Sequence, residues 1–328
     1  MEGATVRILE KVKVGNLVLK NRIVMPPMNT ELAAEDGEVT PEMIQHYATR
    51  APWLGMVIVE HTYVRRDGRL SARQPGIHED GLVGGLRRLA ETVKRSDTPI
   101  AIQMNHAGKR CDPALIGQQP VAPSAKDGAR ELTVREIGDL AGAFGKAAAR
   151  AVRSGFDVVE LHGAHGFLLC QFSSPLANTR TDDYGGSLEN RMRFPLEVVR
   201  RVKRETRSQA QLWYRLGADD RTPGGNTIKE AARMAKMLAA EGVDVLDVSG
   251  GMCGSRPEGL VGPGYFAYAA KAEKDATGLP VVAVGGITTP QEAEEVVARW
   301  GVDLVAVGRA LTKDPFWGKK AMSLSVSR

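Results

Sequence analysis

A chain of 328 residues with 43% hydrophobic and 25% charged residues is long enough for one large domain with its own core. Its formal net charge of +5 is spread over pairs such as Arg65-Arg66, Arg87-Arg88 and Arg200-Arg201, interleaved with acids and lacking aromatic neighbours, which argues against a nucleic-acid face. The three cysteines, Cys111, Cys170 and Cys253, are scattered without a CxxC, which excludes a disulfide framework and an iron–sulfur run and suits a reducing cytoplasm; no apolar window is long enough for a membrane span.

The N-terminal stretch MEGATVRILEKVKV has no apolar core of the signal-peptide kind. Residues 12–19, VKVGNLVL, are two short alternating runs meeting at Gly15-Asn16, which predicts a β-hairpin. Residues 22–25 form a strand stopped by Pro26-Pro27. Thr40-Pro41-Glu42 starts a helix, and MVIVE at 56–60 is an apolar strand covered on both faces. A helix over 80–94 leads to a strand at 100–104. Thr133-Val134-Arg135-Glu136 is a capping box for an alanine-rich helix to about Ser154. Then come a strand at 158–161, a helix over 189–205 and a strand at 212–216. A second capping box at Thr227–Glu230 opens a helix ending near Gly242, before a strand at 245–248. A helix from Phe266, a strand at 281–284, a helix capped at Thr289, a strand at 304–307 and a last helix starting at Asp314-Pro315 complete the chain. Strict alternation of eight strands with helices and no linker predicts a single (β/α)8 TIM barrel over residues 1–328, with the hairpin in front. A Rossmann-type sheet is the rival, weakened because no GxGxxG follows the first strand.

Chemistry in such a barrel sits at the carboxyl ends of the strands. Those ends read Pro26-Pro27-Met28-Asn29, Glu60-His61, Gln103 to His106, His162 with His165, Arg215, Ser249-Gly250-Gly251, Gly285-Gly286 and Gly308-Arg309; four of the six histidines fall among them. Two imidazoles three residues apart can both aim an N–H at one oxygen, polarising a carbonyl or holding a phenolate. Glycines at Gly285-Gly286 and Gly308, beside Arg309, let backbone N–H groups approach a phosphate. A guanidinium at Arg215 can stabilise negative charge, and the Gln103 amide offers both a donor and an acceptor. Zinc is a rival for the histidine pair, but no acidic or cysteine cluster completes a ligand set, so no metal is expected.

The stretch HGAHGFLLCQFSSPLANTRTDDYGGSLENRMRF, residues 162–194, resembles the signature of the Old Yellow Enzyme family of FMN-dependent barrel oxidoreductases. NRIVMPPMN, IQMNHAGKR, WYRLGADD, VAVGGIT and VGRALTKDPF are similar to its other strand ends, so the resemblance runs from about Val14 to Trp317. It implies non-covalent FMN held by Pro26, Pro27, Met28, Asn29, His61, Gln103, Arg215, Gly285, Gly286, Gly308 and Arg309. It implies NADH or NADPH as reductant, and a small-molecule acceptor, such as an α,β-unsaturated carbonyl, bound by His162 and His165. The alternatives are a non-enone acceptor such as a dienoyl thioester, or a flavin electron-transfer subunit. No nucleic acid or membrane is expected as a partner; self-association into a homo-oligomer is. With nothing left after the eighth unit to hold an iron–sulfur cluster, electrons are expected to pass directly from NAD(P)H to FMN.

Two positions depart from the family pattern. Asn29 stands where relatives carry threonine or cysteine. Phe167 stands where they carry the tyrosine that donates a proton to the substrate, and phenylalanine has no proton to give. Water, Cys170 or a tyrosine from elsewhere (Tyr63, Tyr265, Tyr268) could replace it; Tyr265, with Phe167, is also a candidate for the substrate pocket.

Overall fold

The computed structural model describes residues 6–324; the first five residues of the N-terminal stretch and the last four, SVSR, lie outside the described residues. Eight parallel strands close into a barrel in consecutive order. They are β1 (Ile23–Met25), β2 (Met56–Tyr63), β3 (Ile100–Asn105), β4 (Val158–Gly163), β5 (Gln211–Gly217), β6 (Val245–Ser249), β7 (Val281–Val284) and β8 (Leu304–Ala306). The helices that carry the chain back are α1 (Pro41–Arg50), α2 (Val83–Lys94), α3 (Val134–Arg153), α4 (Leu188–Thr206), α5 (Ile228–Ala240), α6 (Ala267–Thr277) and α7 (Pro290–Trp300). The start of α1 and the three Thr-to-Glu caps form as the residues dictate: Thr40 accepts from Met43 N–H, and Thr133, Thr227 and Thr289 each make both bonds of a capping box.

The end of the chain differs from expectation. A short helix, Arg309–Lys313, begins directly after β8, and a second runs from Trp317 to Ala321. Asp314 and Pro315 form the turn between them, with the Asp314 carboxylate accepting from Phe316 N–H at 2.9 Å. The acid–proline pair ends one helix and prepares the next, so the helix beside Gly308 starts six residues before that proline.

The barrel has two cores. Residues on the outer faces of the strands pack under the helices, while Val24, Met56, Ile58, Ala101, Val158, Trp213, Val245, Val282 and Leu304 fill the interior. The predicted hairpin, Val12–Val14 with Leu17–Leu19, closes the floor: Val14 and Leu19 join the interior cluster. Its turn is tied down by Gln211, whose amide donates to the Val14 carbonyl (2.9 Å) and the Asn16 side chain (2.5 Å) while its oxygen accepts from the Trp213 indole (2.8 Å).

Toward the mouth the interior turns polar. Inward-facing positions on four adjacent strands carry Gln103, Glu160, Arg215 and Asp247, all nearly or fully buried. On β2 the register shifts between Val59 and Thr62. One extra residue in the strand exchanges its faces. Glu60 thereby turns outward to Tyr47 and Thr30, and His61 turns into the mouth.

Candidate active site

His162 ends β4 and is 3% exposed. The Ala164 N–H points at its Nδ1 from 3.4 Å, which places the ring proton on Nε2. His165 follows in a left-handed conformation (φ +57°), uncommon for a residue with a Cβ. Three contacts hold it: its N–H donates to the Gly250 carbonyl (3.0 Å), its own carbonyl accepts from Arg110 (2.5 Å), and its Nε2 lies 2.7 Å from the Ser249 hydroxyl. If Ser249 donates, Nε2 is the acceptor and Nδ1 carries the proton. The two rings sit edge to face, 5.0 Å apart. Burial pushes both imidazoles well below the ordinary histidine range; beyond it the His165 ring and the Arg215 charge act on His162, and Arg215 and Arg110 on His165. The pair is therefore neutral at physiological pH; His162 has its Nε2–H available to an oxygen, and His165 has its Nδ1–H available when Ser249 donates.

His61 joins this group across Phe167. The Phe167 ring lies 4.6 Å from His162 and 5.6 Å from His61. The Gln74 amide donates to His61 Nδ1 (2.7 Å) and to its carbonyl (2.8 Å), and burial lowers the His61 pKa to about 4. Gln74 is invisible to motif reading; its only signal is a buried amide four residues after Leu70, whose N–H it accepts at 2.7 Å.

Beneath the pair lies the polar layer. Gln103 donates to Glu160 at 2.8 Å, and Arg215 Nη1 is 3.3 Å from Asp247. Gln103 Oε1, Glu160 Oε2 and Arg215 Nε are buried without partners. Burial raises the pKa of both Glu160 and Asp247, with Asp247 adding to the shift at Glu160 and the Arg215 charge opposing both. Glu273 on α6 is a third fully buried carboxyl, also pushed up by burial and by Asp247. Unpartnered donors and acceptors facing a mouth are what a planar, polar-edged ring system would satisfy.

A cleft with about 600 Å3 of open space runs from Arg215 and Ser249 past Pro26 and Met28 to Gly285, Gly286, Gly308 and Arg309. Gly285 and Gly286 have φ +121° and +63°, and a Cβ on Gly286 would stand 2.1 Å from the Gly262 carbonyl oxygen. A Cβ on Gly308 would meet Met28 Sδ at 2.8 Å. Only glycine fits this bare backbone cradle, and the helix Arg309–Lys313 starts at its edge.

Most of the residues expected to form the site do come together here. Pro26, Met28, Arg215, Gly285, Gly286, Gly308 and Arg309 line the cleft, Gln103 lies below it, and His61, His162 and His165 stand at its other end. Pro27 is half-buried beside them, and Asn29 is exposed, its amide donating to Glu31 at 2.7 Å. Tyr265 stands at the glycine cradle, its ring against Gly285 and its hydroxyl on the Ser255 carbonyl (2.9 Å). That is the phosphate end, away from the histidine pair. The Tyr63 hydroxyl donates to the Asp36 carbonyl at 2.9 Å. Cys170 is buried, with its thiol pushed up by burial, so it is no acid near neutral pH. No group of three or more metal-ligating side chains occurs among the described residues.

The long polar half of the signature does other work. Arg180 donates to the Pro123 and Leu132 carbonyls, and Arg191 to those of Ser173 and Gly186. Buried Asp220 ties Ser174, the Asn226 N–H and the Met252 N–H together at 2.6–2.7 Å. These residues clamp the loops after β4, β5 and β6 and so fix where the histidines can stand.

Comparison with known proteins now decides the family. Residues 7–324 match the model of the NADH:flavin oxidoreductase / NADH oxidase family. The chain belongs to that family, the Old Yellow Enzyme family. It is 44% identical over 323 residues to an NADH oxidase of Thermoanaerobacter brockii, covering 94% of this chain but only about half (50%) of that protein's length. It is 40% identical to an NADPH dehydrogenase of Bacillus cytotoxicus, covering 93% of this chain and 89% of that one. The fold superimposes on an old yellow enzyme homologue from Zymomonas mobilis with a TM-score of 0.84 at 26% identity, covering 98% and 94% of the two chains. Members of the family are oxidoreductases, and FMN with NAD(P)H are the cofactors the membership implies. The residues fit FMN: a side-chain-free phosphate cradle, an apolar wall from Pro26 and Met28, and unpartnered Gln103 and Arg215 atoms for a polar ring edge.

Proposed function

We propose that this protein is an FMN-dependent ene-reductase, taking reducing equivalents from NAD(P)H and delivering them to an α,β-unsaturated carbonyl or a similar small acceptor. The observation that carries this reading is the pair of edge-to-face imidazoles at the mouth, one with its Nδ1 on a backbone N–H and the other with its Nε2 on the Ser249 hydroxyl. When bound, FMN supplies the relay that accepts hydride from the nicotinamide and passes it on. The chain's own residues do the rest. His162 Nε2–H and His165 Nδ1–H hold the acceptor's carbonyl oxygen and stabilise the negative charge it gains in the transition state; one such donor is worth a factor of about 10²–10³ in rate. Arg215 holds a cation under the polar ring edge, where reduction builds negative charge. Gly286, Gly308 and Arg309 anchor the phosphate. Phe167 completes the apolar wall beside His162 but gives no proton, so the proton that follows the hydride comes from water.

Purified protein should be yellow, bleach on anaerobic addition of NADH or NADPH, and recover colour on addition of 2-cyclohexenone. His162→Ala should keep its flavin and its bleaching by NAD(P)H while recovery slows about 10²-fold. Bleaching without recovery, until a protein partner is supplied, would favour a flavin electron-transfer subunit instead.

A further inference from the structure

At the histidine end of the site one cation, Arg110, lacks a carboxylate partner among the described residues, as Arg256 and Arg309 do at the glycine end. Arg215 has Asp247 at 3.3 Å, Lys109 has Asp127 at 2.6 Å, and Arg65 has Asp67, but Arg110 pairs with no carboxylate among the described residues. Its guanidinium stacks 4.6 Å above the Phe167 ring, on the ring that in turn contacts His162 at 4.6 Å. One of its terminal nitrogens is committed to the His165 carbonyl. The other edge is free, and below it Leu70, Ala107, Cys111, Ile116 and Phe167 form a small apolar cluster. The Cys170 thiol acts on Arg110 but is kept protonated by burial, so it supplies no counter-charge. A cation resting on an apolar wall with no counter-ion attracts an anion, and its planar edge matches a carboxylate's two oxygens. Its sequence neighbour Lys109 is already paired with Asp127, so it adds no second cation of the kind a phosphate dianion would need.

We infer that the acceptor carries a carboxylate: an unsaturated oxo-acid, with its ketone oxygen between His162 and His165 and its carboxylate on Arg110, lying against the Phe167 ring. This rests on the ene-reductase reading above and names its substrate class. In the reduction the C=C bond takes up a hydride originating in NAD(P)H and a proton from water; NAD(P)H leaves as NAD(P)+, and the carboxylate is unchanged. Arg110 acts only in binding.

The test compares 4-oxopent-2-enoate with its methyl ester on the FMN-loaded protein, together with binding of the saturated 4-oxopentanoate read from the shift in flavin absorption. The wild type should show a kcat/KM at least tenfold higher for the acid, a preference that shrinks with added salt. Arg110→Gln should bring the ratio to near one, and Arg110→Lys should keep part of it. Equal use of acid and ester by the wild type would overturn the inference. So would an Arg110→Gln variant that slows both alike, since that is the behaviour of a mere tie on the His165 turn. If neither acceptor is reduced yet 4-oxopentanoate binds through Arg110, the charge assignment stands and the ene-reductase reading falls.

Discussion

At position 167 one missing oxygen separates two kinds of chemistry. The phenyl ring packs against both His61 and His162, so Phe167→Tyr would put an ionisable hydroxyl on a ring beside the histidine pair. Phe167→Tyr should therefore speed recovery of the oxidised flavin by an enone at least tenfold, because a positioned acid contributes about 10²–10⁴. Its bleaching by NAD(P)H should be unchanged, and rapid mixing separates the two phases. An unaltered recovery rate would show that water protonates as fast as the tyrosine can. Glu60 provides a second residue-scale prediction. Burial lifts its carboxyl to about 7, against bonds from Thr30 and Tyr47 that favour the ionised form. A folded pKa above the unfolded one gives stability that is complete below pH 4.5 and lost as pH rises through 7. The wild type should thus lose on the order of 3 kcal/mol relative to Glu60→Gln between those limits, measured by urea unfolding at pH 4.5 and pH 8. Catalytic candidates were legible at this scale because His162, His165 and Arg215 are polar residues at the ends of apolar runs. Ser249, Asp247 and Arg110 were not assigned roles. Asp247 had a signal in its own strand: a charge inside Val245-Leu246-Asp247-Val248, on the inward parity opposite Arg215.

Among the elements, the two glycine turns after β7 and β8 leave bare backbone at the cleft, the place proposed for the phosphate. Gly286→Ala would add a methyl group 2.1 Å from the Gly262 oxygen at a φ of +63°. Both faults fall on the cradle, so FMN affinity should drop at least tenfold while the apoprotein keeps its fold. Fluorescence quenching of FMN titrated with apoprotein, alongside far-ultraviolet circular dichroism, reads both. Strand and helix order was legible because capping boxes, proline starts and apolar runs are local signals. The bulge in β2 was not: it depends on which residue of β3 each β2 residue opposes, and no spacing within 56–63 shows it. The same limit explains the final helices, where Asp314-Pro315 marks a turn between two short helices. It also explains why the most recognisable segment, DDYGGSLENRMRF, clamps loops and leaves the chemistry to the residues before it.

For the whole molecule, the barrel was legible from eight alternations: strands apolar on both faces call for a parallel sheet covered by helices, and eight such units in one domain close it. Holoprotein should melt higher than apoprotein, by an amount that grows with free FMN; a hundredfold excess over Kd corresponds to about 2.7 kcal/mol, read as a shift in Tm. A melting temperature indifferent to FMN would mean that the cradle is not used.

The hairpin under the barrel has a consequence for traffic. Among the described residues, Val14, Leu19 and the Gln211 knot pack across the lower end, below the polar layer. On the proposed function, nicotinamide and acceptor would share the entrance at the mouth, each clearing it before the next arrives. Steady-state rates measured against both should give parallel double-reciprocal lines, and a large excess of either partner should obstruct the other.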